Sequence, residues 1–101
     1  MKKVKLYRFE ELPRFVQEKL FDEFVDDQVE YELEELWRLV RYGKLTEKQA
    51  WNKIGCSKRH AKRSPFSIQT IYYENNKDEV EQDALDALKA QLFTKDGQIV
   101  N

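Results

Sequence analysis

A chain of 101 residues offers one domain with room for one modest core. Its hydrophobic share of 41% excludes a disordered tail, and Cys56, its one cysteine, excludes an internal disulfide and fits a reducing compartment. The net charge of -1 conceals four segregated blocks.

Residues 1–9 carry Lys2, Lys3, Lys5 and Arg8, for +4. Residues 10–35 hold eleven acids against Arg14 and Lys19, for -9. Residues 36–63 hold nine bases against Glu47, for +8, and residues 64–101 hold seven acids against three bases, for -4. Such blocks either face a partner or face each other inside one fold. The N-terminal stretch MKKVKLYRFEEL lacks the apolar run of a signal peptide, and no stretch approaches a membrane span. A cytoplasmic protein with no membrane partner is expected.

The first element expected is a strand over residues 3–9, where Val4, Leu6 and Arg8 alternate with Lys5, Tyr7 and Phe9. Pro13 suits the first turn of a helix. Val16, Leu20, Phe24 and flanking Phe21 and Val25 then recur at spacings of three and four, one apolar face of an amphipathic helix. The pattern resumes as Val29, Leu33, Leu36, Trp37 and Val40, so either one helix bends near residues 26–28 or two helices meet there. Gly43 closes the segment as a helix-terminating glycine.

Thr46 and Gln49 form a capping-box pattern that starts a short helix carrying Ala50, Trp51 and Ile54 and ending at Gly55. Trp37 and Trp51 are expected in the core or at an interface. Pro65 forbids extension of any helix begun near Ser57. Residues 66–73 carry bulk at alternate positions on both faces and predict a strand covered on both sides. Asn76 with Glu79 gives a further N-cap signal, Val80, Ala84, Leu85, Ala87, Leu88 and Leu92 mark a last helix, and Asp96-Gly97 predicts a hairpin. The expectation is a single helix-rich α+β domain over residues 1–101. Its small antiparallel or mixed sheet, from residues 3–9, 66–73 and the C-terminal hairpin, carries several packed helices.

Two charged segments stand out as candidate binding surfaces. The stretch QAWNKIGCSKRHAKRSP has the parts of a helix-turn-helix, with Gly55 in the turn, Cys56 as an apolar plug and Ser57 as an N-cap. Lys58, Arg59, His60, Lys62 and Arg63 follow, five basic residues in six positions. The second helix has Ala61 as its one apolar anchor and is cut short by Ser64-Pro65. The alternative is a basic, solvated connector. In the acidic segment Glu18, Asp22, Asp26 and Glu30 stand at i+4 steps, about 6 Å apart by helix rise and close to phosphate spacing. Such a row can mimic a nucleic acid, or simply solvate a helix face.

Catalytic constellations are scarce. His60 is the one histidine and has no paired nucleophile. Cys56-x-x-x-His60 offers two metal ligands where a structural zinc needs four. No P-loop or dinucleotide fingerprint occurs among the three glycines. No enzyme activity, cofactor or metal is expected.

The opening KLYRFEELPRFVQEKLFDEF and the closing YYENNKDEVEQDALDALKAQLFTKDGQIV resemble small proteins encoded by bacteriophages and mobile elements. Those proteins often begin with a strand running into tyrosine-x-phenylalanine-x-glutamate-leucine and an amphipathic helix, and many close on a phenylalanine-threonine-x-aspartate-glycine turn. The resemblance covers both ends of the chain. The basic middle matches no such pattern, so no functional residue is carried over. Some small phage proteins of this size and charge are anti-CRISPR inhibitors that block a host nuclease. The resemblance therefore implies an anti-defence protein whose partner is a host nucleic-acid enzyme. The rival expectation is a DNA-binding regulator using residues 46–63.

Overall fold

The computed structural model describes residues 5–100. A strand β1 (Tyr7–Arg8) leads through a 3-10 turn at Phe9–Glu11 into the long helix α1 (Arg14–Arg41). Four shorter helices follow: α2 (Glu47–Ile54), α3 (Lys58–Arg63), α4 (Ile68–Asn75) and α5 (Lys77–Lys89). Strand β2 (Leu92–Phe93) returns to pair antiparallel with β1. The described residues thus make a helix-rich α+β fold with a two-stranded sheet.

Helix α1 runs unbroken for 28 residues. Its buried positions are Val16, Leu20, Val25, Val29 and Leu33, and the mix of i+4 and i+5 steps keeps them on one stripe. No break occurs at residues 26–28, because Asp26 and Asp27 stay exposed while Val25 and Val29 continue the stripe. At its end the Gly43 N–H donates to the Val40 carbonyl at 3.1 Å and the Lys44 N–H to the Leu39 carbonyl at 2.9 Å. That pair of bonds is a Schellman closure.

The core lies along α1 in two parts. One gathers Phe9, Leu12, Val16, Leu20, Leu88 and Phe93. The other gathers Val25, Val29, Leu33, Ile54, Tyr72, Val80 and Ala84. Phe21 and Phe24 touch both and join them. Helix α5 therefore packs along α1 through Val80, Ala84 and Leu88, and the sheet caps one end through Phe9 and Phe93, whose rings are 6.5 Å apart. Trp37 and Trp51 meet edge to face with centroids 5.4 Å apart, pinning α2 to the far part of α1. Both are half-buried, as an interface between elements requires.

Three expectations need correction, and Leu92, expected on the last helix, instead stands in β2 because α5 ends at Lys89. Residues 66–73 are not a strand: Ser67 accepts from the Thr70 N–H at 3.2 Å and starts α4. Ile68, Ile71 and Tyr72 are spaced for one helical face, and Tyr72 is 1% exposed within the core. Their β-branched and aromatic character favours strands, but burial of Tyr72 against α1 and α5 overrides that preference. The sheet is accordingly smaller than expected. Its first strand is Tyr7–Arg8 alone, with residues 3 and 4 of the expected strand outside the described residues. The C-terminal turn does fold back, with the Thr94 N–H donating to the Gln98 carbonyl at 2.9 Å and Phe93 bridging Ile99.

The third correction concerns Asn76, whose side chain caps no N–H of α5. Its Nδ2 instead donates to the Lys53 carbonyl at 3.0 Å, and Asn75 Nδ2 donates to the Ile54 carbonyl at 3.1 Å. These two amides satisfy terminal carbonyls of α2 that lack helical partners. They tie the α4–α5 corner to α2.

Gly55, at φ +95°, has the Asn75 side chain where a Cβ would stand, whereas Gly43, at φ +72°, has open space. Gly55→Ala should therefore cost roughly 2–4 kcal/mol, the left-handed penalty plus displacement of Asn75, and Gly43→Ala about 1–2 kcal/mol. Equal losses in denaturant melts would contradict this account. Trp37→Ala should cost roughly 1–3 kcal/mol, less than for a fully buried tryptophan. Thermal unfolding of the variant reads that loss.

Candidate functional site

The basic segment folds as two helices around a tight turn. Thr46 accepts from the Gln49 N–H at 3.1 Å while Gln49 Oε1 accepts from the Thr46 N–H at 2.9 Å, completing the capping box. Ala50 and Ile54 are fully buried and seat α2. Gly55 turns the chain, and Ser57 accepts from the His60 N–H at 3.1 Å to start α3. The helix then stops at Arg63, because Ser64 is extended ahead of Pro65.

Lys58, Arg59, His60, Lys62 and Arg63 are all exposed. Among the described residues none of them forms an ion pair. Helix α3 has six residues and buries none of them; Ala61 is half-covered. It is a cationic arm held mainly by its turn. Beside that turn Lys48, Trp51, Cys56 and Lys58 line a shallow crevice of about 550 Å³. The Trp51 Nε1 is buried without a hydrogen-bond partner.

The acidic segment lies on α1. Glu18, Asp22, Asp26 and Glu30 are exposed, and Glu18 pairs with exposed Arg14 at 3.3 Å. Asp22, Asp26 and Glu30 form no ion pair among the described residues. These three edge a groove of about 520 Å³ between α1 and α4. Its lower part is apolar, from Phe21, Val25 and Val29, and its far wall is Gln69, Thr70 and Tyr73. No residue of α3 lines it. The row at Asp22, Asp26 and Glu30 and the cations of α3 therefore do not neutralise each other; the ion pairs between charge blocks among the described residues are Glu35–Arg38 at 2.6 Å and Lys53–Glu79 at 2.8 Å.

A third acidic group escapes the sequence reading. Glu32, Glu79 and Asp83 bring carboxylate oxygens within 4.8 Å of one another. Glu79 and Asp83 are one turn apart on α5, which is legible, but Glu32 arrives from α1 only when the helices pack. Lys53 pairs with Glu79 at 2.8 Å. The Tyr72 hydroxyl donates to Glu32 Oε1 at 3.1 Å, while Glu32 Oε2 is buried with no partner. Burial first, and then the charges of Glu79 and Asp83, raise the Glu32 carboxyl above its ordinary value despite the Tyr72 bond. Tyr72 is itself pushed up by burial and by Glu32. Tyr73, which donates to Glu81 at 2.6 Å, is pushed up to about 12, first by that bond and then by burial. Cys56 and His60 take no part in this grouping.

Because the Glu32 carboxyl titrates higher in the fold than its ordinary 4.5, folding takes up a proton. Stability should therefore rise as pH falls from neutral through the folded value, and the gain is complete below the ordinary one. Glu32→Gln keeps an oxygen for Tyr72 and removes the ionised form. It should raise the melting temperature at about pH 7 and lose that advantage below about pH 4. Melting the two proteins across this range checks the sign.

Family models, curated proteins and solved structures yield no match to this chain.

Proposed function

We propose that the chain is a phage-encoded anti-defence protein, of the anti-CRISPR kind, that binds and inhibits a host nucleic-acid enzyme through its charged surfaces. The observation that carries this reading is the uncompensated row of Asp22, Asp26 and Glu30 along one edge of α1. Their steps of about 6 Å by helix rise approach the spacing of phosphates on a strand. Enzymes that hold nucleic acid do so with Lys and Arg lining a channel, and unpaired carboxylates on a rigid helix complement that lining. The sequence resemblance of both chain ends to small phage proteins supports the same reading. The reaction is competition for a basic channel, which needs no catalytic residue in this chain.

A second reading has its own support. The helix-turn-helix geometry around Gly55, with Lys58, Arg59, Lys62 and Arg63 unpaired, fits a DNA-binding regulator. The short α3 and its lack of a buried anchor weigh against stable insertion in a major groove.

Capture from a bacterial lysate, with and without nuclease treatment, separates the two readings. A nuclease-resistant protein partner whose activity falls on binding is expected. Asp22→Lys with Asp26→Lys should then abolish inhibition by placing like charge against a basic channel. Purified protein should bind free duplex only weakly at physiological salt. Tight duplex binding, lost in Arg59→Glu with Lys62→Glu, would instead establish the regulator. In that case affinity should fall with salt by a slope of about -0.9 per phosphate contact.

A further inference from the structure

We infer that the groove between α1 and α4 docks a basic amphipathic α-helix of a partner protein, its apolar side chains in the groove and its Lys and Arg along the α1 rim. This rests on the protein-binding reading above and specifies the surface such a partner presents.

The groove is two adjoining hollows, of about 520 and 440 Å³, which share Glu30 and Gln69. Its α1 rim carries Asp22, Asp26, Glu30 and Glu34, all exposed. Apolar side chains line it beneath that rim, including half-buried Phe21, Trp37 and Ile68. The α4 wall is uncharged there, with Gln69, Thr70 and Tyr73, and no basic residue lines either hollow. Charge and apolar surface thus run side by side along both hollows.

That pairing selects the occupant. A duplex or single strand is repelled by four carboxylates. Lys and Arg of a basic channel satisfy the rim but leave the apolar floor wet unless the channel wall also presents apolar side chains beside them. An uncharged apolar helix would strip water from carboxylates without pairing them, which is costly. A helix with anchors at i, i+3 or i+4 and i+7, flanked by Lys or Arg, satisfies both surfaces. The rim from Asp22 to Glu34 spans about 18 Å, so roughly three turns of the partner suffice. The chain's own α3 does not fit: it is basic, but it has six residues and Ala61 as its one apolar side chain.

The test uses the whole chain with Trp51→Phe, so that Trp37 in the groove is the remaining tryptophan. The probe is a Lys/Leu peptide of about five helical turns with its leucines on one face. Its partner probe has the same composition, scrambled to remove that face. The expected result is a saturable change in Trp37 fluorescence, with the scrambled peptide at least about tenfold weaker. Gln69→Arg puts a like charge on the exposed α4 wall and should weaken the facial peptide about tenfold while leaving helicity and melting temperature unchanged.

Equal affinity for the two peptides overturns the groove and leaves a merely charged face. Indifference to Gln69→Arg, a saturable Trp37 response to duplex DNA added without peptide, or filling of the groove by self-association in sedimentation also overturns it. The anti-defence reading fails separately, when the captured enzyme is not inhibited. Inhibition that survives Gln69→Arg but not Asp22→Lys with Asp26→Lys keeps that reading and removes this one.

Discussion

Helix α1 buries Val16, Leu20, Val25, Val29 and Leu33 on one side of a 28-residue cylinder and leaves the other side charged. A helix of that length with a one-sided stripe cannot hide it alone, so other elements must lie along it. Helix α5 covers much of the length, and α2 and α4 cover the far part. The two strands cap the near end, where Phe9 and Phe93 pack together. The molecule is long and thin for this reason, with extents of 56 × 29 × 18 Å. Phe21 and Phe24 join what would otherwise be two small cores.

The same constraint sorts the charge. With its stripe committed to the core, α1 projects Asp22, Asp26 and Glu30 outward along a neighbouring edge. Helix α4 then lies close enough to make a channel beside them. The basic residues of α3 fall outside that channel and remain unpaired. Packing therefore leaves the segregated charge available to a partner. At Glu32 it does the opposite, drawing a carboxylate from α1 against Glu79 and Asp83 of α5. There the Tyr72 hydroxyl and the Lys53–Glu79 pair offset part of the repulsion.

The corner at Asn75 and Asn76 shows how side chains can replace local signals. Read locally, Asn76 promises an N-cap for α5, because asparagine commonly fills that role. In the fold its amide reaches Lys53 and Tyr72 carbonyls, and Asn75 reaches Ile54. Both amides thereby hold the end of α2 beside the turn at Gly55. The basic arm of α3 is positioned by this lattice of caps more than by burial.

Where a local rule suffices, the amino-acid order alone determined the outcome. The α1 stripe, the Thr46–Gln49 box, the Gly55 and Ser57 boundaries of the basic helix, the stop before Pro65 and the Asp96-Gly97 turn each depend on residues within about one helical turn. The exposure of the candidate residues 58, 59, 60, 62 and 63, and of 18, 22, 26 and 30, also follows from their place opposite or outside the apolar stripes. Tertiary structure decided the rest. Residues 66–73 satisfy a strand's alternation and a helix's spacing about equally, and only the burial of Tyr72 against α1 and α5 selects the helix. The groove beside Asp22, the meeting of Glu32 with Glu79 and Asp83, and the Asn75–Asn76 clasp join residues 20 or more apart in the chain. Periodicity reports which face of an element is apolar, but not which other element will lie against it.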